Sequence, residues 1–214
     1  MGKVTAEEIE GFAERGDDQA IVALAERLAK PGEAGEAAAY VEAAISRLGV
    51  SNARIQGGCI KLLYEIGFRN PERISGHSEE FLRLLTSRNN RLVWGGMSAI
   101  AAIASLESAA LFERREEILA AIRSGSVITQ DRGIAALGIV AAADPRYREN
   151  LMKSLLGFIK SCRASDVAKF AESVRPAVDS SSSAAYRRIL EARLGELAPA
   201  ARKRVEKLLR GLTA

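Results

Sequence analysis

Few residues in this 214-residue chain are of types that perform reactions. His77 is its only histidine, which rules out a multi-histidine metal site and argues against a Ser-His-Asp triad or Cys-His pair. It stands in the polar stretch Ser75-Gly76-His77-Ser78, where a solvated or capping role is expected. Carboxylates occur side by side at Glu7-Glu8, Glu79-Glu80 and Glu116-Glu117. Adjacent helical residues point about 100° apart, so these pairs do not form acid/base dyads; acids near helix starts are favoured by the macrodipole. Cys59 and Cys162 are far apart with no C-x-x-C, which fits two thiols in a reducing compartment better than a disulfide or zinc site. From this inventory we expect no catalytic residue, no cofactor and no metal. The residue that stands out is Trp94, the single tryptophan, and its possible chemistry is that of a binding anchor.

The elements that must position these residues are helical throughout. Alanine occurs 37 times and aromatics only 11, a composition poor in strand formers. Apolar residues recur at spacings of three and four, as in Ile118, Leu119 and Ile122 or Leu151, Leu155 and Ile159. Glycines, prolines and N-cap formers punctuate this pattern at Gly16-Asp17, Pro31-Gly32, Gly49 to Asn52, Asn70-Pro71, Ser87 to Asn90, Ser105 to Ser108, Gly125-Ser126, Asp144-Pro145, Arg163 to Asp166, Ser180 to Ser183 and Ala198-Pro199. About twelve helices are expected, and no strand.

A longer period overlies the helical one. In the second helix of each pair, Leu24, Leu62, Ile100, Leu137 and Val174 recur every 37 or 38 residues. In the first helices, Leu48, Leu85, Ile122 and Ile159 lie 37 apart, and so do Ala44, Phe81, Ile118 and Leu155 one turn earlier. Gly58, Gly96 and Gly133 keep the same register. A helical glycine costs about 1 kcal/mol relative to alanine, so these imply close approach of two helix backbones within a pair. The expected architecture is all-α: a single domain over 1–214, folded as a right-handed α-α superhelix of about six antiparallel helix pairs. The units fall near 5–30, 34–67, 75–106, 109–143, 146–178 and 183–213.

The segments Asn90-Arg91-Leu92-Val93-Trp94-Gly95-Gly96-Met97-Ser98-Ala99-Ile100 and Gln130-Asp131-Arg132-Gly133-Ile134-Ala135-Ala136-Leu137 resemble the second helix of a HEAT unit. A polar cap is followed there by an apolar and basic pair, a small residue, and Leu or Ile four positions on. The chain is thus similar to the HEAT and armadillo class of helical repeats, although 37 to 38 residues is shorter than the roughly 40 to 47 usual for HEAT units. The resemblance implies a scaffold whose concave side is lined by second helices. In length, helical build and basic character the chain also resembles the HEAT-like alkylpurine DNA glycosylases. Those enzymes are thought to use concave-face aromatics with a nearby Asp, and one turn after Trp94 this chain has Ser98.

The formal net charge is +4, unevenly spread. Residues 1–50 carry 10 acidic and 5 basic side chains, whereas residues 187–210 carry 8 basic and 3 acidic. Arg187, Arg188, Arg202, Lys203 and Arg204 make a candidate basic patch, whose alternative is a solvated capping helix pair. The second-helix columns are mixed in charge: Arg54 aligns with Leu92, Thr129 and Asp166. This is not the recurrent basic stripe of a DNA groove.

Trp94 aligns with Gln56 and Asp131, a column otherwise polar. Either the indole faces water as an anchor, rimmed by Asn52, Arg54, Gln56, Asn90, Arg91, Ser98, Asp131 and Arg132, or it folds onto a neighbouring helix and hydrogen-bonds locally. The favoured expectation is a non-enzymatic scaffold binding a protein or peptide on the second-helix surface. The alternatives are a nucleic-acid-binding protein related to the glycosylases, and a head-to-tail self-assembling repeat built on the opposed end charges. The N-terminal sequence has no signal-peptide core and no apolar run approaches about 18 residues, so a cytoplasmic, membrane-free protein, monomeric or weakly oligomeric, is expected.

Overall fold

Helix boundaries follow the caps. The structure, a computed structural model, describes residues 2–212 and the side chains of residues 5–212. The described residues form thirteen α-helices and no strand. They are α1 (Gly2–Arg15), α2 (Asp18–Leu28), α3 (Ala34–Arg47), α4 (Ala53–Arg69), α5 (Ser78–Leu84), α6 (Asn90–Ile103), α7 (Ser108–Glu113), α8 (Arg115–Ser124), α9 (Val127–Ala143), α10 (Pro145–Ser161), α11 (Val167–Val174), α12 (Ser180–Arg193) and α13 (Pro199–Arg210). Thr213, which closes the sixth expected unit, lies outside the described residues.

Asp17, Asn52, Asn89, Asp144 and Asp179 each accept a backbone N–H at the start of α2, α4, α6, α10 and α12, satisfying donors that a helix start leaves open. Gly16 ends α1 at φ +68°, and the Asp17 amide then reaches back to the Phe12 carbonyl at 2.9 Å. Only glycine takes that backbone conformation without cost. One break carried no local signal. The first helix expected near 109–124 is divided into α7 and α8 at Arg114, whose φ of −101° and ψ of 17° leave the helical region. No glycine or proline lies between Ser108 and Ser124.

The chain forms two compact units, the first running to Gly133 and the second from Ile134. In the first unit, α4 packs between α2 and α6 and also against α1 and α3, while α5 packs on α6. In the second, α10 packs on α11 and α12, and α11 on α13. The long-period columns are the core in both. Leu24, Leu62, Ile100, Leu137 and Val174 are all buried, as are Leu48, Leu85, Ile122, Ile159, Ala44, Phe81, Ile118 and Leu155. Fixed spacing in the sequence therefore marks the apolar surface that each helix pair buries against its neighbours.

The in-register glycines divide into two groups. A Cβ on Gly96 would stand 2.9 Å from the Leu84 Cβ and 3.0 Å from the Phe81 carbonyl oxygen, both of its own pair; Gly133 likewise abuts Ile122 of α8. Gly58 departs from the within-pair expectation. Its Cβ would meet the Ala13 Cβ of α1 at 2.5 Å, because α4 packs directly on α1, which belongs to the preceding pair.

Candidate functional site

Four residues of α4, at positions i, i+3, i+4 and i+7, share one stripe of the helix: Lys61, Tyr64, Glu65 and Phe68. Trp94 of α6 comes down beside them, its ring centroid 5.8 Å from that of Tyr64 at 52°, and Tyr64 stands 5.7 Å from Phe68 at 53°. Tilted pairs at this separation are favourable beyond the area they bury. Two cations lie over the array. The Arg132 guanidinium of α9 is 4.7 Å from the Phe68 ring centre, and the Lys61 ammonium is 5.9 Å from that of Tyr64. Tyr64 is nearly enclosed, and burial, reinforced by the Glu65 charge, pushes its phenol up to about 12. Phe68 is 41% exposed and Trp94 is half-buried. Among the described residues the indole N–H has no hydrogen-bond acceptor. The indole thus packs against Tyr64 of the neighbouring helix and stays half-buried, with no local bond from its N–H among the described residues.

A charge framework holds the array. The Asp18 carboxylate at the start of α2 faces the Arg91 guanidinium at 3.5 Å and the Lys61 ammonium at 3.6 Å. Glu65 pairs with Arg69 at 2.6 Å and Lys61 at 3.9 Å, and Glu26 with Arg69 at 3.1 Å. Gly57 makes the first of these possible, since a Cβ there would stand 2.7 Å from the Arg91 Nε. Arg91 crosses α4 through the space a side chain would occupy. Such half-exposed pairs each contribute about 0 to 1 kcal/mol, so their effect is chiefly to orient Lys61 and Arg91. Beside them an open cleft of about 320 Å³ has Gly58 in its floor and Glu14, Arg15, Asp18, Arg54 and Arg91 around it.

Of the expected rim, five residues stay at the surface. Asn52, Arg54, Asn90 and Arg91 are exposed and Arg132 is half-buried over Phe68. The other three are engaged internally. Gln56 donates to the Leu48 carbonyl at 3.0 Å and accepts from Asn89 at 3.1 Å; Ser98 is 3% exposed and donates to the Trp94 carbonyl at 2.8 Å; Asp131 is 9% exposed. Asn52 caps α4. Ser98 and Asp131 therefore face inward and not into a rim, a consequence of the tight packing next to Gly95, Gly96 and Gly133. The column alignment did not find Lys61, Tyr64 and Phe68. It pairs Trp94 with Gln56, whereas the ring actually beside it, Tyr64, lies two turns further along α4. Only the Tyr64/Phe68 spacing of four could have drawn attention to them.

The five residues of the expected basic patch lie on α12 and α13, and three are committed to local partners. Arg187 donates to the Leu209 carbonyl at 3.3 Å and faces Glu191 at 3.6 Å, Arg202 pairs with Glu206 at 3.1 Å, and Arg204 grips Glu172 with two nitrogens. Arg188 and Lys203 are exposed. Arg193, counted in the same basic balance, is turned inward. Its guanidinium donates to the carbonyls of Ile159, Lys160 and Cys162, closing the C-terminus of α10, and it also pairs with Glu196.

Elsewhere the reactive types are quiet. His77 lies 3.5 Å from Glu42 and 4.0 Å from Glu80. Cys59 is fully buried and burial pushes its thiol up to about 12; burial also raises that of the half-buried Cys162. Among the described residues no three His, Cys, Asp or Glu side chains are grouped to hold a metal ion, and no helix is long and apolar enough to cross a membrane.

Comparison with known structures now gives the class. The chain has the armadillo/HEAT-type helical-repeat fold. It matches a designed armadillo repeat protein in complex with the peptide (KR)4 over 97% of this chain and 98% of that one, with a TM-score of 0.70 and 12% identity. An engineered protein matches over 96% of both chains, with a TM-score of 0.69 and 18% identity. Kap121p, in a multiply substituted form, matches over 95% of this chain but only 23% of its own length, with a TM-score of 0.70 and 18% identity. No protein-family model matches the chain, and no curated protein matches it in sequence.

Proposed function

We propose that this protein is a non-enzymatic scaffold that binds a protein or peptide on the second-helix surface of its first unit, with Trp94 and Phe68 as the anchors. The observation that carries this reading is the aromatic array of Tyr64, Phe68 and Trp94, held by an ion-pair framework yet open on one side, with an unbonded indole N–H. Large aromatics fixed in place and partly exposed lose little entropy on binding and dominate interface energies. The fold supports the reading, since solved chains of like architecture include one with a bound peptide and one, Kap121p, bound to Ste12p.

The test is a photo-crosslinking residue placed at Asn90, beside the array, in the native cell. A protein adduct is expected, lost in Trp94→Ala and retained in Arg188→Ala. Recovery of nucleic acid would favour the glycosylase-like alternative. An adduct only with a second copy of this chain would favour self-assembly, and an adduct insensitive to Trp94→Ala would refute the anchor.

A further inference from the structure

The charges around the aromatic array specify a partner more closely than the fold does, and this step rests on the binding role proposed above. On this face the carboxylates beside the aromatic array are already matched, and Glu14, at the cleft, is the one left open. Asp18 is held by Lys61 and Arg91, and Glu65 and Glu26 by Arg69. On this face three guanidiniums have no carboxylate within 4.0 Å among the described residues: Arg132, over Phe68, and Arg54 and Arg15 beside the cleft, of which Arg132 and Arg54 flank the α4 stripe. Stacking on a ring leaves the guanidinium's charge and its in-plane N–H donors free, and this fork matches a carboxylate bidentately.

We infer that the face recognises an extended protein segment in which an apolar or aromatic side chain is flanked by carboxylates. The apolar side chain seats on Phe68 and Trp94 and one carboxylate pairs with Arg132. Arg54 and Phe68 are fourteen residues apart on α4, about 21 Å at the helical rise, a span that an extended segment covers in about six residues. A second carboxylate at that distance reaches Arg54. A basic segment is disfavoured, because the acids beside the array are occupied and the open cations Arg132, Arg54 and Arg15 outnumber the one open acid, Glu14. A nucleic-acid strand is disfavoured as well: a continuous line of phosphates would run beside Asp18, Glu26 and Glu65, whereas discrete carboxylates need meet only Arg132 and Arg54.

The probe is a positional-scanning library of blocked fifteen-residue peptides with a fixed central Trp, read by fluorescence anisotropy, with a twenty-residue oligo-dT strand as comparison. Asp or Glu should be selected over Lys by about tenfold within three positions of the centre, as expected for one charge-assisted bidentate pair. Arg132→Gln should abolish that selection while keeping the preference for the central Trp, and Arg132→Glu should invert it towards Lys. Selection of Lys or Arg by the unaltered protein overturns the inference. So does charge selection that survives both Arg132→Gln and Arg54→Gln, or oligo-dT binding tighter than the best peptide. Trp94-dependent peptide binding with no charge preference would refute this inference alone. Absence of any peptide binding, together with a crosslink that ignores Trp94→Ala, would refute the binding role as well.

Discussion

Replacing Arg193 with Met should be among the most damaging single changes in the second unit, although residue type alone would class it as a surface arginine. Its side chain is 14% exposed and donates to the carbonyls of Ile159 at 2.8 Å, Lys160 at 2.7 Å and Cys162 at 2.7 Å. The last four carbonyls of a helix have no partner within it, and α10 ends at Ser161 with no glycine cap following. Hydrogen bonds to charged groups contribute about 1.5 to 3 kcal/mol each when lost singly. A cation at a partly buried helix C-terminus adds up to about 2 kcal/mol. Three bonds to one group are not additive, and water reaches part of the vacated site, so the expected loss is about 3 kcal/mol. Arg193→Lys should recover about a third of it, since a compact ammonium cannot span three carbonyls. Exposed Arg188→Met is the control, with a change of under about 0.5 kcal/mol. Urea unfolding followed by circular dichroism gives the free energies, and hydrogen exchange at Lys160 to Cys162 reports on the end of α10 directly. A loss below 1 kcal/mol for Arg193→Met, or equal losses for the Met and Lys variants, would refute the capping argument.

Trp94→Ala should cost about 2 kcal/mol, roughly half of the 3 to 5 for a fully packed aromatic, because the indole is only half-buried; urea unfolding checks it, and a cost above 4 would place Trp94 in the core. Gly58→Ala and Gly96→Ala should each destabilise by about 1 to 3 kcal/mol through overpacking, whereas Gly157→Ala, where a Cβ in α10 meets nothing within 4 Å, should stabilise by up to about 1 kcal/mol. Hydrogen bonds from Ser181 and Ser182 hold the Asp179 carboxyl below the usual range. A depressed native value stabilises the fold above the unfolded value of about 4 and is lost as pH falls through the native one, so Asp179→Asn, which can still cap α12, should flatten the stability loss below about pH 4 in an acid titration. A disulfide-exchange reagent should leave Cys59 unmodified in the native protein and react with both thiols in denaturant; rapid native modification of both would contradict the burial of Cys59.

Much of the fold was legible in the chain because its determinants are local or periodic. Caps such as Asn52, Asn89 and Asp144 act within three residues of their own position, and they stand where the helices begin. The spacing of Leu24, Leu62 and Ile100 records a face that every helix pair must bury in the same way, so the columns could be read as core before any contact was known. Trp94 was recognisable as unusual for the same reason: it is one large aromatic in a polar column.

Contacts between helices were decided by tertiary structure, because register along a helix says nothing about how far one helix is displaced across another. Tyr64 meets Trp94 although the aligned position is Gln56, and Gly58 meets α1 rather than its own partner α3. The same holds for charge. Arg187, Arg193 and Arg204 read as one basic stretch, yet space gives them a helix end, three carbonyls and a glutamate, while Arg132 is left over a phenyl ring with its charge open. A sequence counts charges, but only folding determines which are matched, since ion pairs and caps form between groups brought within a few ångströms from positions tens of residues apart.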